Sequence, residues 1–118
     1  MSRNGQEQLV FEVVDFRRRR VVFAKKKLKE KNVDHPELAL VEFLRAVKNA
    51  LSDPVEVWPD YFEKQKHCYY GIYMTGVYAK VVVYMSYNRD IPSRVVSAYA
   101  IDKIKERKYK DKGLKQIL

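Results

Sequence analysis

Residues that hold covalent or metal-bound scaffolds together are nearly missing from this chain. Its 118 residues include one cysteine, Cys68, and two histidines, His35 and His67. A lone cysteine permits no internal disulfide, and His67 beside Cys68 supplies too few ligands for a metal site, so neither metal nor other cofactor is expected. A reducing, cytoplasmic setting is the matching expectation. Long apolar runs are missing too. The longest, Val77 to Met85, is strand-sized and interrupted by Lys80, well short of the ~20 residues of a membrane helix. Residues 1–8 are polar, lack the apolar core of a secretory signal and read as a disordered or frayed end. There is no internal repeat and no low-complexity segment, so the length describes one domain.

What the chain has in excess is positive charge. Twenty-four lysines and arginines against 15 acidic residues leave a net charge of +9, which makes a polyanion a natural partner, RNA first and DNA second. Arg17, Arg18, Arg19 and Arg20 stand in a row, followed by Lys25, Lys26, Lys27, Lys29 and Lys31. Adjacent arginines suit phosphate recognition better than scattered lysines do. A second basic cluster runs from Lys103 to Lys115. Nine tyrosines, Tyr84 among them, are raw material for base stacking where exposed, worth about 1–3 kcal/mol per base. A lysine-rich surface adapted to solubility or heat would share this composition.

The pattern of apolar residues predicts an α+β domain over residues 9–105, with a basic tail at 106–118 that is either helical or a frayed arm. Leu9 to Asp15 and Arg20 to Ala24 read as a hairpin, although its loop contains no Gly or Asn to supply a positive φ. Lys25 to Lys31 reads as a short basic helix. Asp34-His35-Pro36-Glu37 reads as the start of the main helix, with Asp34 as its cap and Pro36 in its first turn. Leu40, Phe43, Leu44 and Val47 then recur at helical spacing until Ser52-Asp53-Pro54 stops the run. Val55 to Trp58, Cys68 to Met74, Tyr78 to Tyr87 and Arg94 to Ile101 are strand-like, the last three forming an antiparallel meander. The expected architecture is an antiparallel sheet of four to six strands with the main helix and the short basic helix packed on one face. Val81, Val83, Val95 and Ile101 are expected beneath the main helix. Asp34 and Pro36 suffice to start that helix, so His35 is left over, its ring near the positive end of the helix dipole. It suits proton transfer, or a hydrogen bond to nearby backbone.

The order of these segments resembles the phage- and mobile-element-associated nucleases of the barnase–EndoU–colicin–RelE-like fold. The resemblance rests on His35-Pro36-Glu37-Leu38 opening a helix and Ala50-Leu51-Ser52-Asp53-Pro54 closing it. It continues through the Lys80-Val81-Val82-Val83 strand to a last strand carrying Ser97-Ala98-Tyr99, and spans about residues 9 to 105. Relatives carry Thr-Ala-Tyr in that last strand and a further histidine five residues before the first, where this chain has Glu30.

The resemblance implies a metal-independent endoribonuclease of toxin or mobile-element type, with an antitoxin or immunity protein as a further partner. Such cleavage needs one group to take the 2′-OH proton, one to protonate the leaving 5′ oxygen, and donors on the phosphate. His35 and Glu30 are the proton-transfer candidates, Lys80 the phosphate ligand, and Ser97 and Tyr99 their neighbours. Lys80 also reads as a gatekeeper on an edge strand, Ser97 as a core hydroxyl and Tyr99 as a core aromatic. An inactive nucleic-acid-binding module and a protein-interaction domain are the alternatives.

Overall fold

The computed structural model describes residues 7–118, so the expectation for the N-terminal end falls, up to position 6, outside the described residues. β1 (Leu9–Val14) and β2 (Arg20–Ala24) pair antiparallel, with Phe11 opposite Phe23 and Val13 opposite Val21. Their loop answers its lack of glycine by placing Arg18 at φ 66°, a left-handed conformation costing a side-chain-bearing residue about 1–2 kcal/mol. Asp15 holds the loop in that shape. Its Oδ1 accepts the backbone N–H groups of Arg17 at 2.9 Å and Arg19 at 2.8 Å.

β3 (Glu56–Pro59), β4 (Lys66–Met74), β5 (Val77–Tyr84) and β6 (Ser93–Ile101) complete a six-stranded sheet ordered β1-β2-β6-β5-β4-β3. β4 to β6 form the expected antiparallel meander. One junction corrects the all-antiparallel expectation: β2 and β6 are parallel, with Val21 opposite Ser93 and Val22 opposite Arg94. The long helical crossover between hairpin and meander makes that pairing accessible.

Side-chain alternation divides the sheet into two faces. Ala79, Val81 and Val83 of β5 share one core with Phe43, Val47, Ala50 and Leu51 of α2 (Val41–Ser52). Helix and sheet approach closely at Gly71, where a Cβ would stand 2.8 Å from the Ala50 Cα. The main helix is shorter than its apolar periodicity predicts. Pro36–Ala39 is a separate 3-10 turn, and Leu40 is extended at φ −91°, ψ 130° before α2 begins. Leu40 is consequently exposed and Leu44 only partly buried, while Leu38 enters the core. His35, not Asp34, precedes the turn, and no side chain caps it. Since helix-dipole effects fade within one turn, the field of α2 does not reach a histidine so far ahead of Val41.

The opposite face carries Trp58, Cys68 and Tyr70, covered by Ile104 and Leu114 from the C-terminal segment. That segment forms a 3-10 helix at Lys105–Lys112. Ile117 and Leu118 then donate backbone N–H groups to the Val57 carbonyl at 2.8 and 3.2 Å. The tail is therefore an integral layer and not a basic arm. α1 (Lys25–Asn32) follows β2 directly and runs beside β6. It turns Leu28 toward the α2-side core and Lys26, Lys27 and Glu30 toward a cleft. Among the described residues no helix is long and apolar enough to cross a membrane.

Candidate nucleic-acid interface

Each of three residues in His35-Pro36-Glu37-Leu38 meets a different requirement. β2 ends before the second half of β6, which leaves outward-pointing N–H groups there without a strand partner. Glu37 supplies one acceptor, its Oε2 taking the Ala100 N–H at 2.9 Å. Leu38 anchors the turn in the core with no exposed surface. His35 donates its backbone N–H to the Lys31 carbonyl at 3.0 Å. Its ring lies on Tyr99, with centroids 4.8 Å apart and planes 17° from parallel.

In the β5–β6 register Lys80 stands opposite Tyr99, Val82 opposite Ser97 and Tyr84 opposite Arg94. All of these side chains therefore share the face away from α2. The Lys80 ammonium lies 5.7 Å from the Tyr99 ring and 5.5 Å from the Tyr70 ring. It is not offered to solvent. Lys80 is 5% exposed and donates to Glu106 Oε2 at 3.0 Å, while the Tyr70 hydroxyl donates to Glu106 Oε1. Burial works against its charge, but Cys68, Tyr70 and Glu106 together raise its pKa above the usual lysine value. Burial also pushes the Cys68 thiol up to about 12, and burial with the Glu106 hydrogen bond raises the Tyr70 hydroxyl. Both groups are thus uncharged at neutral pH, and Glu106 is the counter-ion of Lys80.

Asp60, Cys68 and Glu106 each place one ligand atom within 4.8 Å of the others. Both Glu106 oxygens are already occupied and the thiol holds its proton, so this group fits a hydrogen-bonded network better than a metal centre.

Glu30 is placed elsewhere. It is exposed, ion-paired with Lys27 at 3.1 Å, and held below the usual carboxylate range by that bond. With Lys26, Lys27, Tyr84 and Arg94 it lines a cleft of about 440 Å³. The Tyr84 hydroxyl donates to Gln65 Oε1 at 2.9 Å. Lys25 and Lys26 border a separate recess floored by Val10 and Leu28. Of the five candidate catalytic residues, then, His35 and Tyr99 touch and Lys80 lies beside Tyr99. Ser97, half-buried, shares their face, and Glu30 lines the cleft at Tyr84 and Arg94.

The arginine row divides as well. Arg17 turns inward, a correction to its expected place on a phosphate path. Its guanidinium donates to the Tyr69 hydroxyl at 2.9 Å, approaches His67 Nδ1 at 3.1 Å and lies 4.8 Å over the Phe16 ring. The reason is Asp15, whose fully buried carboxylate needs a counter-ion and finds the Arg17 Nε at 3.7 Å. Burial, with Arg17 and Arg19 nearby, lowers the His67 pKa to about 4. Arg20 pairs with Glu12 at 2.9 Å. Arg18, Arg19 and Arg20 meet Arg89 around a small cavity that opens beside Ser93.

These features follow β6 in order: the arginine cavity at Ser93, the cleft at Arg94, then Ser97, then the His35–Tyr99 stack. At ~3.3 Å per residue the two ends lie roughly 20 Å apart. Glu37, Arg89, Arg94 and Glu106 are the contributors that sequence reading missed. Glu106 had a signal, being one of the few acids in a lysine-rich tail. Comparison with protein-family models, with characterised proteins and with solved structures gives no match.

Proposed function

We propose that the chain is an RNA-binding domain of endoribonuclease type, which cleaves weakly and without a metal. The observation that carries the reading is the His35–Tyr99 stack, a titratable ring laid on the sheet face that also bears Ser97, Tyr84 and Arg94. In this scheme the His35 imidazole takes the 2′-OH proton and the 2′ oxygen attacks phosphorus. The P–O5′ bond breaks, the leaving oxygen takes a proton from water, and the His35 imidazolium returns its proton to the hydroxide left behind. The products are a 2′,3′-cyclic phosphate and a 5′-hydroxyl. DNA, lacking the 2′-OH, would bind without being cut. A cognate antitoxin or immunity protein would act by covering this face.

The experiment is incubation of labelled RNA with pure protein in EDTA. Replacing His35 by Phe keeps an aromatic ring on Tyr99 and removes the proton-transfer group. Cleavage should fall by about 10²-fold or more, with RNA affinity and the thermal midpoint nearly unchanged. Wild-type cleavage rates in His35→Phe would remove His35 from the mechanism.

The Lys80–Glu106 pair favours a second reading. With its only candidate phosphate ligand on β5 already neutralised, the same surface would bind RNA without cutting it. Salt-dependent binding with no cleavage by the wild type would establish that outcome.

A further inference from the structure

The cavity between the β1–β2 and β5–β6 loops has the chemistry of a single-phosphate site. Its volume is about 80 Å³, and Arg18, Arg19, Arg20 and Arg89 line it together with Ser86 and Ser93. That space takes a few waters or one tetrahedral oxyanion. The walls are set in place by their own bonds. Arg19 donates to the Ser86 carbonyl at 3.2 Å, and Ser93 Oγ accepts the Ser86 N–H at 3.0 Å. Arg20 is balanced by Glu12, but Arg18 and Arg89 have no carboxylate partner among the described residues. Asp90, next to Arg89 in sequence, donates its backbone N–H to Asn88 Oδ1 at 2.9 Å and does not line the cavity. Arginines that line one small cavity without counter-ions repel one another, and an anion between them relieves that repulsion.

We propose that this cavity binds a phosphate monoester, the terminal phosphate of a nucleic acid whose chain continues along β6. A monoester presents three oxygens and close to two negative charges to the arginines that line the cavity. A backbone diester presents fewer free oxygens and one charge, and must leave the pocket on both sides. The choice of nucleic acid as bearer rests on the RNA-binding reading; the phosphate site does not. If that reading also holds for cleavage, the terminal phosphate fixes the distance to the His35–Tyr99 stack and so selects the bond that is cut.

Two measurements on the full chain test this. In the first, inorganic phosphate is titrated against the amide and guanidinium Nε–H signals. Shifts confined to Arg18, Arg19, Ser86 and Arg89, and lost in Arg18→Ala/Arg89→Ala, are expected. Absence of localised shifts overturns the site whatever the RNA assays show. In the second, one oligoribonucleotide is compared bearing a 5′-phosphate, a 3′-phosphate or neither. One terminal phosphate should tighten binding by roughly tenfold, as one strong charged hydrogen-bonding group does, and Arg89→Ala should erase that advantage. Equal affinity for all three RNAs overturns the terminal-phosphate assignment. Failure of all three RNAs to bind, with inorganic phosphate still bound, refutes the RNA reading and leaves the anion site standing.

Discussion

Tyr69 and Tyr70 are neighbours on β4, point to opposite faces, and each ends on a buried carboxylate with a cation beside it. On the α2 side the Tyr69 hydroxyl donates to Asp15 Oδ2 at 2.6 Å, with Arg17 alongside. On the other side the Tyr70 hydroxyl donates to Glu106, with Lys80 alongside. The composition is the same and the consequence differs. Asp15 is saturated by two loop N–H groups, the tyrosine and the arginine, so its network fixes the shape of one hairpin loop. Among the described residues Glu106 meets Tyr70, Lys80 and the Cys68 thiol, and it joins the C-terminal segment to the meander directly beside Tyr99. Each network draws inward a cation that composition alone would assign to the surface. Net charge is therefore an unreliable map of which side chains face a polyanion.

The largest expected effect is at the less saturated network. Glu106→Ala leaves Lys80 buried without a counter-ion and should cost about 3–5 kcal/mol in urea unfolding. Because Glu106 also ties down the C-terminal segment, proteolysis should release that segment in the variant. Replacing the pair together, as Lys80→Met with Glu106→Leu, should restore most of the loss, since apolar packing can stand in for a buried ion pair. Recovery to wild-type stability with unchanged RNA affinity would show that the pair is purely structural. A double variant as unstable as Glu106→Ala would mean that the tail depends on the charges themselves.

His67 separates the two networks by pH. Its folded pKa of about 4 lies below the ordinary histidine value of 6.5. The unfolded chain therefore binds the extra proton first as pH falls, and stability is lost between about 6.5 and 4. Discounted for partial exposure, that loss is on the order of 1–2 kcal/mol. The Tyr70 network contains no histidine, and its thiol lies near 12. Urea midpoints at pH 7 and pH 5 should thus move less in His67→Gln than in the wild type. Equal movement would show that His67 is solvated in the folded state.

Much of this was legible in the sequence, for identifiable reasons. Strand alternation placed Val81, Val83 and Val95 in the α2-side core, and short turns specified the meander, because both signals are local. Leu40 was misplaced because helical spacing alone cannot show that Leu38 enters the core first and breaks the helix behind it. Ile101 was assigned to the helix-side core but packs with the cluster under the C-terminal segment. The parallel β2–β6 junction depends on where the crossover lands, which no local pattern reports. Order along the chain names His35, Tyr99, Lys80 and Ser97 as candidates, and the sheet brings His35 onto Tyr99 with Lys80 beside it. Glu37 and Glu106 were missed because what they satisfy, a strand-edge N–H and a buried ammonium, exists only once the sheet is built. Arg17 and Arg18 look identical in sequence, and only the loop separates an inward arginine from an exposed one.

That loop supplies the smallest expected effect. Arg18 sits at φ 66° because Asp15 binds the N–H groups on either side of it, so the Tyr69 network holds a strained backbone in place. Arg18→Gly removes the steric cost but adds freedom to the unfolded chain, and the balance should be a gain of up to about 0.5–1 kcal/mol. Arg18→Ala keeps the strain and should show no gain. Both variants remove one guanidinium from the cavity and should weaken inorganic phosphate binding equally. A glycine variant that is no more stable than the alanine variant would mean that the loop relaxes around Arg18, and that the Asp15 network constrains it less than its hydrogen bonds indicate.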